Sequence, residues 1–169
     1  MADKGIPALS IALVDDQRIV WSQGFVYVRA VKKTPAFIVT LVDRTSRRIV
    51  SHAVCFARTP EVLQAVVDTA PPAANYFSDA FNTYKELSWW GVHKAMYDKS
   101  ETYSVEGDNA ELRHYLARLT RKSRCFSKCI KALRRAVDLF VWCWNQRQLH
   151  KQQCPRYPSH LIDFVSCLV

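Results

Sequence analysis

Two stretches of this sequence carry residues that could do chemistry on a phosphate. The first is Tyr103-Ser-Val-Glu-Gly-Asp-Asn-Ala-Glu-Leu-Arg-His-Tyr-Leu-Ala-Arg-Leu-Thr-Arg-Lys-Ser-Arg-Cys-Phe-Ser-Lys128, where Glu106, Asp108 and Glu111 stand just ahead of a dense basic run. From Leu112 to Val137 there are nine Lys or Arg and no Asp or Glu. A carboxylate at the mouth of a basic helix suits a metal ion held against a phosphate backbone. It equally suits an ordinary helix start, since acidic residues favour the N-terminus of a helix and basic ones its C-terminus. The second stretch is Asn75-Tyr-Phe-Ser-Asp-Ala80. It reads as a short strand delivering Asp79 at its end, the place where ligands gather in open α/β sheets. A lone Asp after a strand also reads as a helix cap.

The elements that must position these groups follow from periodicity. Glu106, Asn109 and Arg113 fall at i, i+3 and i+7 and share one helix face, while Leu112, Leu116 and Leu119, with Tyr115 beside them, make a buried stripe. Residues 6–14 and 18–28 read as two strands around the turn Asp15-Asp16-Gln17, a hairpin. Lys32-Lys33-Thr34-Pro35 is a basic turn, 36–42 and 48–56 are strands, and 43–47 is the turn between them. Thr59, Pro60 and Glu61 announce a helix by cap, first-position proline and acidic first turn. Its buried face is Val62, Leu63, Val66 and Val67, and Pro71-Pro72 ends the segment. Trp89-Trp90 and 93–97 read as a loop and a short strand whose aromatics belong to the core rather than to base-stacking platforms. A last long helix is expected over 127–150 on Ile130, Leu133, Val137, Phe140, Val141 and Trp144. Lys128, Lys131, Arg134 and Arg135 form its charged side, either solvated or DNA-facing. Pro155 and Pro158 break that helix, and 159–169 reads as a short docked helix.

Composition narrows the partners. A chain of 169 residues, nearly half apolar, is long enough for one domain with a substantial core. The net charge of +9 and pI near 9.4 favour a polyanion, of which nucleic acid is the commonest. No apolar run approaches the roughly 20 residues of a spanning helix, and the start Met-Ala-Asp-Lys has no signal-peptide pattern, so a cytoplasmic site without membrane is expected. The six cysteines are scattered and read as reduced thiols. Cys143, His150 and Cys154 lack the paired spacing of a zinc module.

The run Glu106-Gly-Asp-Asn109-Ala-Glu-Leu-Arg113-His-Tyr-Leu-Ala-Arg-Leu119, continued by Arg-Lys-Ser-Arg-Cys-Phe-Ser-Lys128, resembles the last catalytic segment of DDE transposases of the insertion sequence one family. Ser78-Asp79-Ala80-Phe81-Asn82-Thr83-Tyr84 is similar to that family's second catalytic segment. The resemblance runs from about residue 30 to the C-terminus. It implies an α/β fold with an RNase H-like mixed sheet flanked by helices, and DNA transposition by metal-dependent cleavage and strand transfer. Asp79 and Glu106 would then be catalytic residues and ligands of two Mg2+ or Mn2+ ions, whose oxygen-only coordination suits carboxylates. DNA contacts are expected from Lys32, Lys33, Asn109, Arg113, Arg118, Arg121, Lys122, Arg124 and Lys128. The partners implied are element ends, target DNA, and a second copy or an intact transposase.

The opening departs from that pattern. Gly5-Ile-Pro-Ala-Leu-Ser-Ile-Ala-Leu-Val-Asp-Asp-Gln-Arg-Ile-Val-Trp-Ser-Gln-Gly24-Phe25 resembles the first two strands of serine β-lactamases and related penicillin-binding enzymes. No Ser here has Lys three residues later, so that family's chemistry is not carried over. Two regions are expected: residues 1–28, a hairpin of foreign-looking origin from a composite reading frame, and 29–169, a truncated catalytic core. The family's first Asp should stand about nine residues before the basic turn, at Gln23 or Gly24, and no acid lies near either. Asp15 and Asp16 are the nearest candidates, but seven or so extended residues span about 23 Å. A defective transposase is therefore expected, without the upstream module that reads element ends. The alternative is a non-catalytic DNA-binding remnant that inhibits intact transposase.

Overall fold

The computed structural model describes residues 10–11, 23–24, 28–30, 34–79, 81–96, 110–116 and 129–165. At its centre is the nine-residue strand β4 (Thr34–Val42), whose sequence Thr-Pro-Ala-Phe-Ile-Val-Thr-Leu-Val shows no polar alternation. The reason is that both of its faces are buried. Ala36 and Ile38 join one core cluster with Leu133, Val137, Phe140 and Trp144, while Val39 and Leu41 join another with Leu63, Val66, Val67 and Tyr76. The period of two thus splits one strand between two helix layers.

β4 pairs antiparallel with β5 (Ile49–Cys55) from Phe37↔Cys55 to Val42↔Ile49, and with β3 (Val28–Ala30) on its other side. The register shifts between Leu41 and Val42, a bulge that leaves Val50 without an opposite residue. Asp43 closes the turn by accepting from the backbone of Thr45 at 3.1 Å and of Ser46 at 3.3 Å, and from the Ser46 hydroxyl. The turn holds Arg47 at φ 58, the left-handed region. The expected strands and turn over 36–56 are formed.

Of the opening hairpin, β1 (Ser10–Ile11) and β2 (Gln23–Gly24) are described, paired antiparallel as Ser10↔Gly24 and Ile11↔Gln23. β2 lies beside β4 and β1 beside β6 (Asn75–Asp79), so the pair stands between two sheets. β6 pairs with β7 (Val92–Met96) in parallel, from Asn75↔Val92 to Asp79↔Met96. The architecture is mixed α/β.

Helix α1 (Pro60–Asp68) begins where expected, with Pro60 at its start and Thr59 extended at the N-cap. The cap itself differs, because the Thr59 side chain makes no capping bond. The Thr59 hydroxyl instead hydrogen-bonds the Glu61 carboxylate and lowers its pKa. A short 3-10 helix (Asn82–Glu86) lies between β6 and β7. Residues 110–115 are helical (α2), with Leu112 buried against α3 and β4. Helix α3 (Ile130–Gln153) starts and ends three residues later than periodicity indicated, and α4 (Leu161–Val165) docks on it. The end at Gln153 follows from Pro155, which disfavours helical geometry at Cys154 before it and leaves Lys151–Gln153 free to continue.

α3 runs antiparallel along β5. Arg134 Nε donates to the Val54 carbonyl at 3.2 Å, and Asp138 meets His52 Nε2 at 2.9 Å. Farther along, the Trp144 indole donates to the Arg47 carbonyl at 2.7 Å, and Asn145 reaches Ile49. From Arg134 to Asn145 the helix rises about 16 Å, and from Val54 to Ile49 the strand covers about the same length. Matched rise over several polar contacts fixes the axial register of the helix on the sheet.

Candidate active site and DNA-facing surface

Asp79 is the last residue of β6. The 3-10 helix that follows takes Phe81, two positions beyond Asp79, as its N-cap residue. The strand that carries Asp79 is held from behind by polar and aromatic contacts. Ser78 is fully buried, and its Oγ lies 2.8 Å from His93 Nε2 on β7. His93 stacks face to face on Trp89, with centroids 4.2 Å apart and planes 2° from parallel. Trp89 donates its indole N–H to the Tyr84 carbonyl at 3.3 Å and lies 5.1 Å from the Tyr76 ring. The Tyr76 hydroxyl accepts from the Ala73 amide at 2.8 Å. Burial holds the His93 pKa below its usual 6.5 and pushes the Tyr76 phenol upward, so both act as neutral structural groups.

The other face of the β6–β7 pair is different in character. Phe77 is buried there, in register with Lys94, whose ammonium sits 5.5 Å from the Phe77 ring centroid. Val92 and Lys94 are exposed, and so is Trp90 just before the strand. The expectation that both neighbouring tryptophans are core holds for Trp89 alone. Trp90 is 66% exposed, while Trp89 already fills the space over His93 and Tyr76.

Glu106 and Asn109 lie outside the described residues, as do Asp15, Asp16, Lys32, Lys33, Arg118, Arg121, Lys122, Arg124 and Lys128. Arg113 is described and half-buried on α2. That helical segment is anchored by Leu112 and by Tyr115, whose hydroxyl lies 3.1 Å from His160 Nε2. On α3, Lys131, Arg134 and Arg135 are exposed, although Arg134 also serves the sheet through Val54.

Among the described residues, no three His, Cys, Asp or Glu side chains come together as a metal site. Cys55, Cys129, Cys143 and Cys154 are free thiols. Asp79 and Glu106 are hard oxygen donors, right in kind for magnesium, but two carboxylates do not complete a three-acid set. Nor, among the described residues, is any helix long and apolar enough to cross a membrane.

The described elements define a mixed α/β domain with helices on both faces of its three-stranded sheet and an acidic residue at the end of a strand in a separate two-stranded parallel pair. The chain belongs to the IS1 transposase family, whose model matches residues 23–145, the greater part of its length. No curated protein and no solved structure matches it. The match begins at Gln23, inside the opening hairpin, and the resemblance of 5–25 to serine β-lactamases gains no support. Three features of the site carried little sequence signal: the Ser78–His93 bond, the outward Trp90, and Lys94 beside Phe77. Alternation along 92–96 could have grouped Lys94 with position 92, but not with a strand 15 or more residues away.

Proposed function

We propose that this chain is an RNase H-like DDE transposase core that holds DNA but lacks a complete acidic site. The observation that carries this reading is β2. The strand expected to bear the first acid is formed and lies beside β4, and its residues are Gln23 and Gly24. Asp79 at the end of β6 and Glu106 ahead of α2 would be the remaining catalytic carboxylates and the ligands for magnesium or manganese. Four observations support this assignment: the family match, the parallel β6–β7 pair, the helix layer containing α2 and α3, and the net charge of +9.

With one ligand absent, the divalent ions that this class of enzyme uses to stabilise both the attacking and the leaving oxygen are held weakly. The residual property is backbone contact with DNA through Arg and Lys, which fixes position without reading sequence. A remnant of this kind, paired with an intact transposase or occupying its DNA, would act as an inhibitor.

The test is nicking and strand joining on element-end DNA with manganese, comparing the wild-type chain with Asp79→Ala and Glu106→Ala, alongside binding to the same DNA. Salt-sensitive binding without cleavage by any of the three is the expected result. Cleavage by the wild-type chain that disappears in both variants would show a complete site and overturn the defect.

A further inference from the structure

We infer that β7 carries a track for an unpaired DNA strand, in which Trp90 stacks on a base and Lys94 contacts a phosphate on the way to Asp79. This rests on the transposase reading for the identity of the polyanion, but the residues are exposed ones on β7 and in the turn just before it.

Trp90 is displayed on a rigid support. Gly91 behind it crosses so close to the preceding loop that a Cβ there would lie 2.3 Å from the Ala73 carbonyl oxygen and 2.4 Å from that of Ala74. The Val92 amide donates to the Ala74 carbonyl at 2.9 Å, which ties the base of the turn to the strand. A large side chain with two rotatable bonds on a fixed backbone loses little conformational freedom when something packs on it. Val92, 57% exposed, continues the apolar surface, and Lys94 follows two residues later on the same face. The ammonium of Lys94 rests against Phe77, so the cation is kept at the sheet rather than extended into solvent.

Register gives the dimensions. Asp79 is level with Met96, so Lys94 is about 7 Å short of that level and Val92 about 13 Å, with Trp90 no more than about 20 Å away. That length equals about six nucleotides at the 3.4 Å per-strand rise of a duplex and fewer for an extended strand, so a six-nucleotide tail is long enough to cover it. An exposed indole next to a cation, on a chain of net charge +9, matches the pairing of stacking platform and phosphate contact that holds single strands. A duplex offers a bare base face only at its end, so the occupant is a frayed or single-stranded segment, not paired DNA.

The full-length chain would be titrated into a fluorescein-labelled duplex with a six-nucleotide single-stranded tail, and into the blunt duplex of the same sequence, across a salt series. The wild-type chain is expected to prefer the tailed DNA. Trp90→Ala should lose roughly tenfold in affinity for the tail and little for the blunt duplex, while Trp90→Phe keeps most of the preference. Lys94→Gln should weaken binding of the tailed DNA and lower its salt slope by about one, with little effect on the blunt duplex. Because both side chains are exposed, each variant should melt like the wild type, and the melting curve checks that. Equal binding of tailed DNA by wild type and Trp90→Ala, or no preference for the tail in the wild type, overturns the track and leaves the transposase reading standing. A wild-type chain that binds neither DNA overturns both.

Discussion

Asn145 binds the backbone of Ile49 twice: its Oδ1 accepts from the Ile49 amide at 2.8 Å and its Nδ2 donates to the Ile49 carbonyl at 2.9 Å. A side-chain amide here takes the place of a neighbouring strand at the edge of β5, next to the bulge. This covers polar groups that would otherwise be left unpaired beside α3. Asn145→Ala should lower stability by about 1–3 kcal/mol, since Ile49 is buried and water cannot fully replace the lost partners. Asn145→Asp should be no better, because a carboxylate accepts from the amide but repels the carbonyl. Thermal melts of the three proteins, at about 2–4 °C per kcal/mol for a chain of this size, decide it. An unchanged midpoint in Asn145→Ala would show that the sheet edge does not depend on this residue.

His93 makes stability depend on pH in a defined direction. Burial depresses its folded pKa below 6.5, so the folded protein refuses a proton that the unfolded chain accepts. Above about pH 6.5 neither state is protonated at this site and it contributes nothing. As pH falls from there toward the folded value the unfolded state gains, at no more than about 1.4 kcal/mol per pH unit for one proton. His93→Gln keeps a hydrogen-bonding group near Ser78 and removes the titration. Urea unfolding at pH 7.5 and pH 5 should therefore show a smaller acid loss in His93→Gln than in the wild type. Equal losses would assign the acid sensitivity to other groups.

Gly91 is a packing requirement, not a flexibility device. Its would-be Cβ meets backbone carbonyl oxygens, which cannot swing aside as a side chain could. Gly91→Ala should therefore separate the 73–74 loop from the start of β7 and cost about 1–3 kcal/mol. Hydrogen exchange should locate the damage, with the Val92 amide losing protection while α3 amides keep theirs. Uniform protection would mean that the loop yields without loss.

Much of the scaffold was legible in the sequence because its signals are local. Pro60 after Thr59, the apolar spacing of α3, and the run Ala36–Val42 between two turns each specify an element by themselves. Asp79 stood out as the acid closing a short strand, and the family strings around it raised it above a helix cap. What could not be seen were contacts between distant segments. Asn145 is one polar residue in a helix until the bulge at Ile49 is known. Ser78 and His93 are 15 residues apart and meet only because β6 and β7 are parallel. Trp89 and Trp90 are identical in type and adjacent, and only the packing of Trp89 on His93 and Tyr76 tells them apart.

On the proposed reading, an acid supplied on β2 should restore metal binding. β2 runs beside β4, and in that reading its backbone is the one that presents the first carboxylate. Successive residues of a strand point to opposite faces, so of Gln23→Asp and Gly24→Asp only one places a carboxylate on a given face of the sheet. That variant should gain manganese binding, seen as a rise in melting temperature with manganese that the wild type lacks. A metal at 100 times its Kd adds about 2.7 kcal/mol, enough to move the midpoint by several degrees. The gain should vanish when Asp79→Asn is added, which separates a restored site from a stray surface carboxylate. Manganese-dependent nicking in the same variant, absent from its neighbour and from the wild type, would show that one carboxylate on β2 completes a working site. If neither substitution binds metal, the defect extends beyond that strand.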